Sequence, residues 1–151
     1  MKHPTTPLTE EQKAQIAEEL TKQARGEGND VEAAIGLLRM GAEEVLPGFC
    51  IALEKSTVVL AVRDPEQLNT ALVLKLSDEY HLAVFTRNEY ATPFTRRHPE
   101  YHYLVHVEMR SLCKGVQSRI GLTINPEHPT FRFTFSPSQF AEFQKACRTG
   151  R

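Results

Sequence analysis

The 151-residue sequence has no excess of charge of either sign, since 18 lysines and arginines face 19 aspartates and glutamates. A formal net charge of -1 gives no basic field of the kind by which nucleic-acid-binding proteins release counterions from phosphates. We therefore predict no nucleic-acid partner. The hydrophobic fraction of 40% is ordinary for a globular chain, and this length builds a core without a metal or disulfide staple.

Cysteine is scarce as well. Cys50, Cys113 and Cys147 are too widely spaced for a CxxC redox or zinc motif, and an odd number cannot complete a disulfide framework. We expect all three to be small packed side chains in a reducing compartment. The sequence also has no apolar run near the ~20 residues of a membrane helix. Its first residues offer no signal peptide, so we predict a cytoplasmic protein with no membrane partner.

Sequence motifs that would indicate a catalysed reaction are missing too. There is no glycine-rich phosphate loop and no GxSxG nucleophile elbow. Paired carboxylates such as Glu10 and Glu11 diverge on a helix, so they make no acid–base pair. His98, His102 and His106 recur every four residues, but on a loop and strand they would lie about 13 Å apart, too far to share a metal ion. We predict no enzyme activity, no catalytic residue, no metal site and no cofactor.

The first 46 residues have a helical pattern. Thr9 and Gln12 have the spacing of a capping box at the start of a first helix with a thin apolar stripe. A glycine-rich break follows, after which Asn29 or Asp30 caps a second helix. Pro47 fits the first turn of a short third helix, where its missing N–H costs nothing.

After residue 56 the pattern changes to β-branched and apolar runs separated by turn formers. The predicted strands are residues 57–62, 71–76, 80–85, 103–108, 120–124 and 131–135. The second and third strands should form a hairpin, and Thr86 should cap a helix over 87–94 that ends in a polar loop over 95–100. Asn125 and Pro126 favour a turn, and a final helix starts at Ser136.

The order of these elements predicts an α+β fold, with α/β as the alternative. We expect one mixed β-sheet of five or six strands with packed helices and a helical N-terminal extension. The extension covers residues 1–46 and the main domain residues 47–151, which together make one globular unit.

Several segments of the main domain resemble a known family. They are Phe49–Val58, Ala83–Glu89, Tyr103–Val107, Gly121–Pro126 and Ser136–Phe140. In this order they are similar to the N-terminal domain of SseB-like proteins, a bacterial-type domain named for enhanced serine sensitivity. The sequence departs from that family at Ala83, where proline is frequent, and at Arg87, where serine is frequent. We also expect no second, C-terminal domain.

The resemblance implies a domain without an assigned enzymatic activity, found in proteins linked to regulation, secretion or partner binding. Our leading hypothesis is therefore a non-catalytic protein-binding module that acts as a regulator or adaptor. One alternative is an immunity protein that neutralises a cognate toxin by occluding it. The other is a small-ligand sensor or enzyme, with a pocket at the strand–helix junction of Thr86 and Arg87 and with His106 nearby.

A basic and aromatic cluster is the candidate binding surface for such a partner, whether a toxin or a regulated enzyme. It consists of Arg87, Tyr90, Phe94, Arg96, Arg97 and Tyr101. Arginine and tyrosine are the residues that most often anchor protein interfaces, and this cluster flanks the most family-like segment. The acidic first helix is a second candidate surface, for which a solvated charged face is the simpler interpretation. Its acidic residues are Glu10, Glu11, Glu18 and Glu19.

Overall fold

The computed structural model describes residues 7–116 and 119–148, apart from the side chain of Arg148. The chain divides into two units, Met1–Leu53 with Pro129–Phe131 and Glu54–His128 with Arg132–Arg151. Within the described residues, no helix is both long enough and apolar enough to cross a bilayer.

The first unit begins with two helices whose starts are capped as predicted. Helix α1 (Glu10–Ala24) opens with the capping box, since Thr9 Oγ1 accepts the Gln12 N–H at 3.1 Å and Gln12 Oε1 accepts the Thr9 N–H at 2.9 Å. Helix α2 (Asp30–Arg39) is capped by Asn29, whose side chain accepts the Glu32 N–H at 2.9 Å. These starts are fixed by residues close in sequence.

The two helices approach closely where α2 has a glycine. A Cβ at Gly36 would lie 2.8 Å from Cγ2 of the fully buried Ile16 on α1, so a side chain there would push the helices apart. Helix α3 (Leu46–Lys55) follows a short 3-10 turn and carries Pro47 in its first turn, as predicted.

A short segment from far along the chain completes the first unit. Gln12 Nε2 donates to the Pro129 carbonyl at 2.9 Å, and Arg39 Nη1 donates to the Thr130 carbonyl at 2.8 Å. The Thr130 hydroxyl also donates to Gln15. Side chains of α1 and α2 therefore hold Pro129–Phe131 by its backbone.

The described part of the second unit contains six strands and three further helices. The strands are β1 (Thr57–Val62), β2 (Val73–Leu76), β3 (Glu79–Val84), β4 (Tyr103–Glu108), β5 (Gly121–Ile124) and β6 (Phe133–Phe135). The helices are α4 (Asn88–Arg97), α5 (Met109–Gly115) and α6 (Pro137–Arg148). These elements confirm the predicted α+β class and most of the predicted strands.

The strands form two sheets, so the prediction of one mixed sheet is wrong. An antiparallel pair, β1–β4, stands beside a four-stranded sheet in the order β2-β3-β5-β6. Among the described residues the two sheets are joined by isolated bridges, between Val59 and Phe85 and between Val62 and Ala71. No ladder extends from β1 into one strand of the larger sheet, because the Val59 N–H donates to the Phe85 carbonyl whereas the Ala61 carbonyl accepts the Leu72 N–H, both at 2.8 Å.

The four-stranded sheet combines a local hairpin with a long-range parallel pair. Strands β2 and β3 form the predicted hairpin, and Ser77 and Asp78 make its turn with φ angles of 49° and 65°. Strands β3 and β5 are parallel, with Leu82 opposite Leu122 and Val84 opposite Ile124. The connection between them runs through α4, β4 and α5, as a parallel pair requires.

One face of the second unit is built around helix α4. Its core cluster contains Val59, Ala61, Leu72, Ala83, Phe85, Ala91 and Phe94. The Phe85 and Phe94 rings lie 5.6 Å apart, which joins the end of β3 to the helix. The helix runs on through Pro93 to Arg97, so the first part of the loop predicted over 95–100 is helical. The buried Phe94 secures the turn after the proline.

Helices α5 and α6 pack together in the second unit. Gln144 Nε2 donates to the carbonyls of Cys113 and Val116, at 3.2 and 2.9 Å. Cys113 and Cys147 are both buried, with their Sγ atoms 3.3 Å apart. Helix α6 begins with a second capping box, in which Ser136 and Gln139 exchange backbone-to-side-chain bonds.

Candidate functional site at the start of helix α4

The candidate site is built where the parallel strands β3 and β5 end. The carboxyl ends of parallel strands meet at one edge of the sheet, and ligands and catalytic groups are often found there in α/β proteins. At this edge β3 leads through Phe85 to Thr86, and β5 leads directly to Asn125.

Asn125 is fully buried and holds this junction together. Its N–H donates to the Val84 carbonyl at 2.9 Å, and its Oδ1 accepts the Thr86 N–H at 2.9 Å. Its Nδ2 donates to the Thr86 hydroxyl at 3.0 Å. With φ at 51°, Asn125 lies in the left-handed region, which asparagine tolerates better than most residues.

These bonds correct the predicted role of Thr86 as the cap of α4. The N-cap position is Arg87, and no side chain makes a capping hydrogen bond there. The Thr86 hydroxyl instead bonds to a residue 39 positions later, which local sequence reasoning cannot see. The predicted turn is confirmed, since the His128 N–H donates to the Asn125 carbonyl at 3.0 Å.

The turn that follows Asn125 brings two unpredicted side chains against α4. The His128 ring lies 4.4 Å from the Tyr90 ring, and the Glu127 carboxylate accepts from Arg97 Nη2 at 3.0 Å. The one feature of the sequence that could have indicated Glu127 and His128 is their position directly after Asn125 and Pro126.

Arginine side chains lie over aromatic rings along this helix. The Arg87 guanidinium carbon is 5.9 Å from the centre of the Tyr90 ring, and that of Arg97 is 4.8 Å from the centre of Phe94. Phe94 itself is 2% exposed, so it belongs to the core and supports Arg97 from beneath. Phe94 is therefore not a surface residue.

The remaining predicted residues lie at or beyond the end of α4. Arg96 is exposed and has no ion pair among the described residues. Tyr101 is half-buried, its hydroxyl accepts from Arg63 Nη2 at 3.0 Å, and the Arg63 guanidinium lies 4.9 Å from its ring centre. We call this set the α4 surface. Its exposed members are Arg63, Arg96, Arg97 and Glu127, and its half-buried members are Arg87, Tyr90, Tyr101 and His128.

The three histidines at spacing four are dispersed, as the predicted loop and strand imply. His98 follows the last residue of α4, and His102 Nδ1 lies 3.1 Å from the Pro99 carbonyl. His106 is on β4, with Nε2 3.1 Å from Asn88 Oδ1 at the first residue of α4. In the part of the chain that the structure describes, no three histidine, cysteine, aspartate or glutamate side chains are grouped to hold a metal ion.

The first unit contains the acidic helix, the second candidate surface. Glu10 and Glu18 make exposed ion pairs with Lys13 and Lys22, at 3.5 and 3.4 Å. Glu19 is buried, and its Oε2 accepts the Asn29 N–H at 2.7 Å. The acidic face therefore loses one of its predicted members to a structural role.

A shallow groove of about 420 Å³ also lies in the first unit, lined by residues of α1, α2 and α3 that include Gln23, Asp30 and Phe49. It contains no convergent set of reactive groups among its described lining residues. Comparison with family models, curated proteins and solved structures gave no match to this chain. A function is therefore argued from the geometry alone.

Proposed function

We propose that this chain is a non-catalytic protein-binding module, a regulator or adaptor that contacts another protein through the α4 surface. One observation carries the proposal. Three arginines, at positions 63, 87 and 97, lie over the rings of Tyr101, Tyr90 and Phe94 along this surface.

Stacked arginines are suited to binding because part of their rotamer entropy is already lost before a partner binds. A free arginine loses rotamer entropy when an interface fixes it, and a guanidinium held on a ring has already lost some of it. Arginine and tyrosine also dominate the residues whose truncation weakens protein complexes most. The partner surface expected to match them carries carboxylates.

The base beneath this surface is rigid. The bonds of buried Asn125 to Thr86 fix the start of α4, and the contact of Phe94 with Phe85 fixes its later turns. Asn125, Thr86 and Phe94 thus make contacts within the fold, and Arg96 and Arg97 are exposed. The immunity-protein hypothesis would use this same surface against a toxin.

The small-ligand alternative meets an obstacle at the junction. A ligand that hydrogen-bonds to Thr86 would compete with Asn125, which already bonds both its N–H and its hydroxyl. A thermal-shift screen against amino acids and phosphorylated metabolites separates the two hypotheses. A ligand at 100 times its Kd stabilises a protein by about 2.7 kcal/mol, whereas a protein-binding module should show no shift.

The direct test reverses a charge on the α4 surface. Arg96→Glu and Arg97→Glu are compared with the wild-type chain in affinity capture from the native cell, with Lys145→Glu on α6 as the matched control. All three substituted residues are exposed, so the three variants should stay folded. We expect one captured protein to be lost with either arginine variant and retained with the control. Identical captures from all four chains, or turnover that one polar substitution abolishes, would refute the proposal.

A further inference from the structure

Strand β4 has an open outer edge. It pairs with β1 on one side, and no described strand pairs with it on the other. An edge that presents unpaired N–H and C=O groups is a template on which a strand of another chain can pair.

The bonds of β1 show which β4 groups face the open edge. Val59 and Ala61 direct their backbone bonds away from β4, to Phe85 and Leu72 at 2.8 Å. The alternate residues of β1 must therefore bond to β4, and in the observed register they face Tyr103, Val105 and Val107. It follows that the N–H and C=O groups of Leu104 and His106 point outward. No described residue hydrogen-bonds to those backbone groups.

The side chains of β4 do little to protect this edge. Proteins usually block an exposed edge with proline, lysine or a bulge, whereas β4 reads Tyr-Leu-Val-His-Val-Glu with one formal charge at its end. Tyr103 is 42% exposed, although its partner Val62 on β1 is fully buried. Val105 and Val107, on the same face, are only half-buried.

We propose that two copies of this chain pair through β4 in antiparallel orientation, with Val105 opposite Val105 of the second copy. Leu104 then lies opposite His106 twice, and each pair exchanges two backbone bonds, which makes four in all. The two separate β1–β4 pairs become one four-stranded sheet across the dimer.

Polar complementarity selects this register. Two strands in one sheet place residues of the same face opposite each other, and two registers near the middle of β4 meet this requirement. With Val105 at the centre, Tyr103 lies opposite Val107, and the His102 imidazole lies opposite the Glu108 carboxylate at both ends of the pairing. The register centred on His106 instead places imidazole against imidazole and Leu104 against Glu108. Cross-strand pairs of a hydrogen-bond donor and an acceptor stabilise a sheet, and polar–apolar mismatches do not.

Cysteine cross-linking tests both the dimer and its register. Residues opposite each other in a non-hydrogen-bonded antiparallel pair have Cα atoms about 4.5 Å apart, within the range a disulfide spans. In a Cys50→Ala background, which removes the half-buried native thiol, we expect Val105→Cys to form a covalent dimer under mild oxidation. Val107→Cys is the matched control, since it faces Tyr103 of the second copy and should cross-link far more slowly.

Equal cross-linking of the two variants would overturn the proposal. Faster cross-linking of His106→Cys than of Val105→Cys would overturn the register.

Charge-reversal variants test the dimer independently, with the dimer Kd measured by analytical ultracentrifugation. We expect the wild-type chain to show a concentration-dependent monomer–dimer equilibrium. Glu108→Lys should raise the dimer Kd about tenfold, because it removes the carboxylate acceptor opposite the His102 imidazole. The double variant His102→Glu with Glu108→Lys should restore the Kd, because a carboxylate then faces an ammonium group. Glu79→Lys makes the same charge change at an exposed residue of β3 and should leave the dimer Kd unchanged.

A wild-type chain that is monomeric at every concentration, or a double variant no better than the single one, would refute the dimer. Because none of these substitutions touches the α4 surface, the result is separate from that of the charge-reversal capture.

Discussion

A threonine precedes both helix α1 and helix α4, as the N-cap of α1 and two residues before the start of α4, yet the two threonines bond differently. Thr9 is exposed and bonds within its own helix, to Gln12 three residues later. Thr86 is partly buried and bonds to Asn125, on a strand end 39 residues later. Burial decides whether such a residue bonds within its own helix or joins separate elements. An exposed helix end can also be capped by water, whereas a buried junction depends on protein partners.

The largest expected effect comes from removing the buried partner. Asn125→Ala should lower the free energy of unfolding by about 3 kcal/mol, because it leaves the Thr86 N–H without its acceptor and places alanine at a positive φ. Urea denaturation measures it. Asn125→Gly loses the same hydrogen bonds without the backbone strain and should cost about 1 kcal/mol less. Asn69→Ala, at an exposed asparagine, is the control and should stay within about 0.5 kcal/mol of the wild type.

A smaller effect is expected from the threonine side of the same junction. Thr86→Val removes the hydroxyl that accepts from Asn125 Nδ2 and keeps the backbone donor, so the loss should be about 1–2 kcal/mol. Thr86→Ser keeps the hydroxyl and should lose less. If the valine variant is as stable as the wild type, the side-chain bond between Thr86 and Asn125 does not stabilise the fold.

The exposed capping box should matter less again. Thr9→Ala should lower the free energy of unfolding by about 1 kcal/mol or less, the usual range for an N-cap. Thr9→Ser retains the cap and is the matched control. A loss from Thr9→Ala as large as that from Asn125→Ala would contradict the distinction between the two helix starts.

The smallest effect on stability is expected at the α4 surface itself. Arg97 and Glu127 are 51% and 59% exposed at their side chains, so a double-mutant cycle should give a coupling of no more than about 0.5 kcal/mol. Thermal or urea unfolding of the two alanine variants and the double variant measures it. A coupling well above 1 kcal/mol would mean that this ion pair supports the fold, and the loss of a partner by Arg97→Glu would then need a structural explanation.

Local pattern anticipated a good part of this fold. The apolar β-branched run from Thr57 to Val62 forms β1, and the Thr9–Gln12 and Asn29 signals mark helix starts that the structure contains. Such elements can be predicted from sequence because their side-chain alternation and their caps involve residues a few positions apart. The α+β class followed from the order of these elements.

Other features depended on contacts between distant residues. The separation of the strands into two sheets follows from β1 bonding to Phe85 and to Leu72, which lie just outside β3 and β2. The buried Glu19 accepts the Asn29 N–H, ten residues later. The surface residues on and after α4 also contact residues that local pattern does not connect to them. Tyr90 lies against His128, Arg97 pairs with Glu127, and Tyr101 lies under Arg63. No spacing rule connects those partners to α4.

The amino-acid sequence by itself determined where helices and strands form, because the periodicity of apolar residues and the chemistry of caps and turns act over a few positions. The tertiary structure alone decided that Asn125 holds the start of α4, that Phe94 belongs to the core, and that Leu104 and His106 turn their backbone groups outward. Those outcomes depend on which elements become neighbours, and a buried polar group must find its hydrogen-bond partner among them wherever that partner lies in the chain.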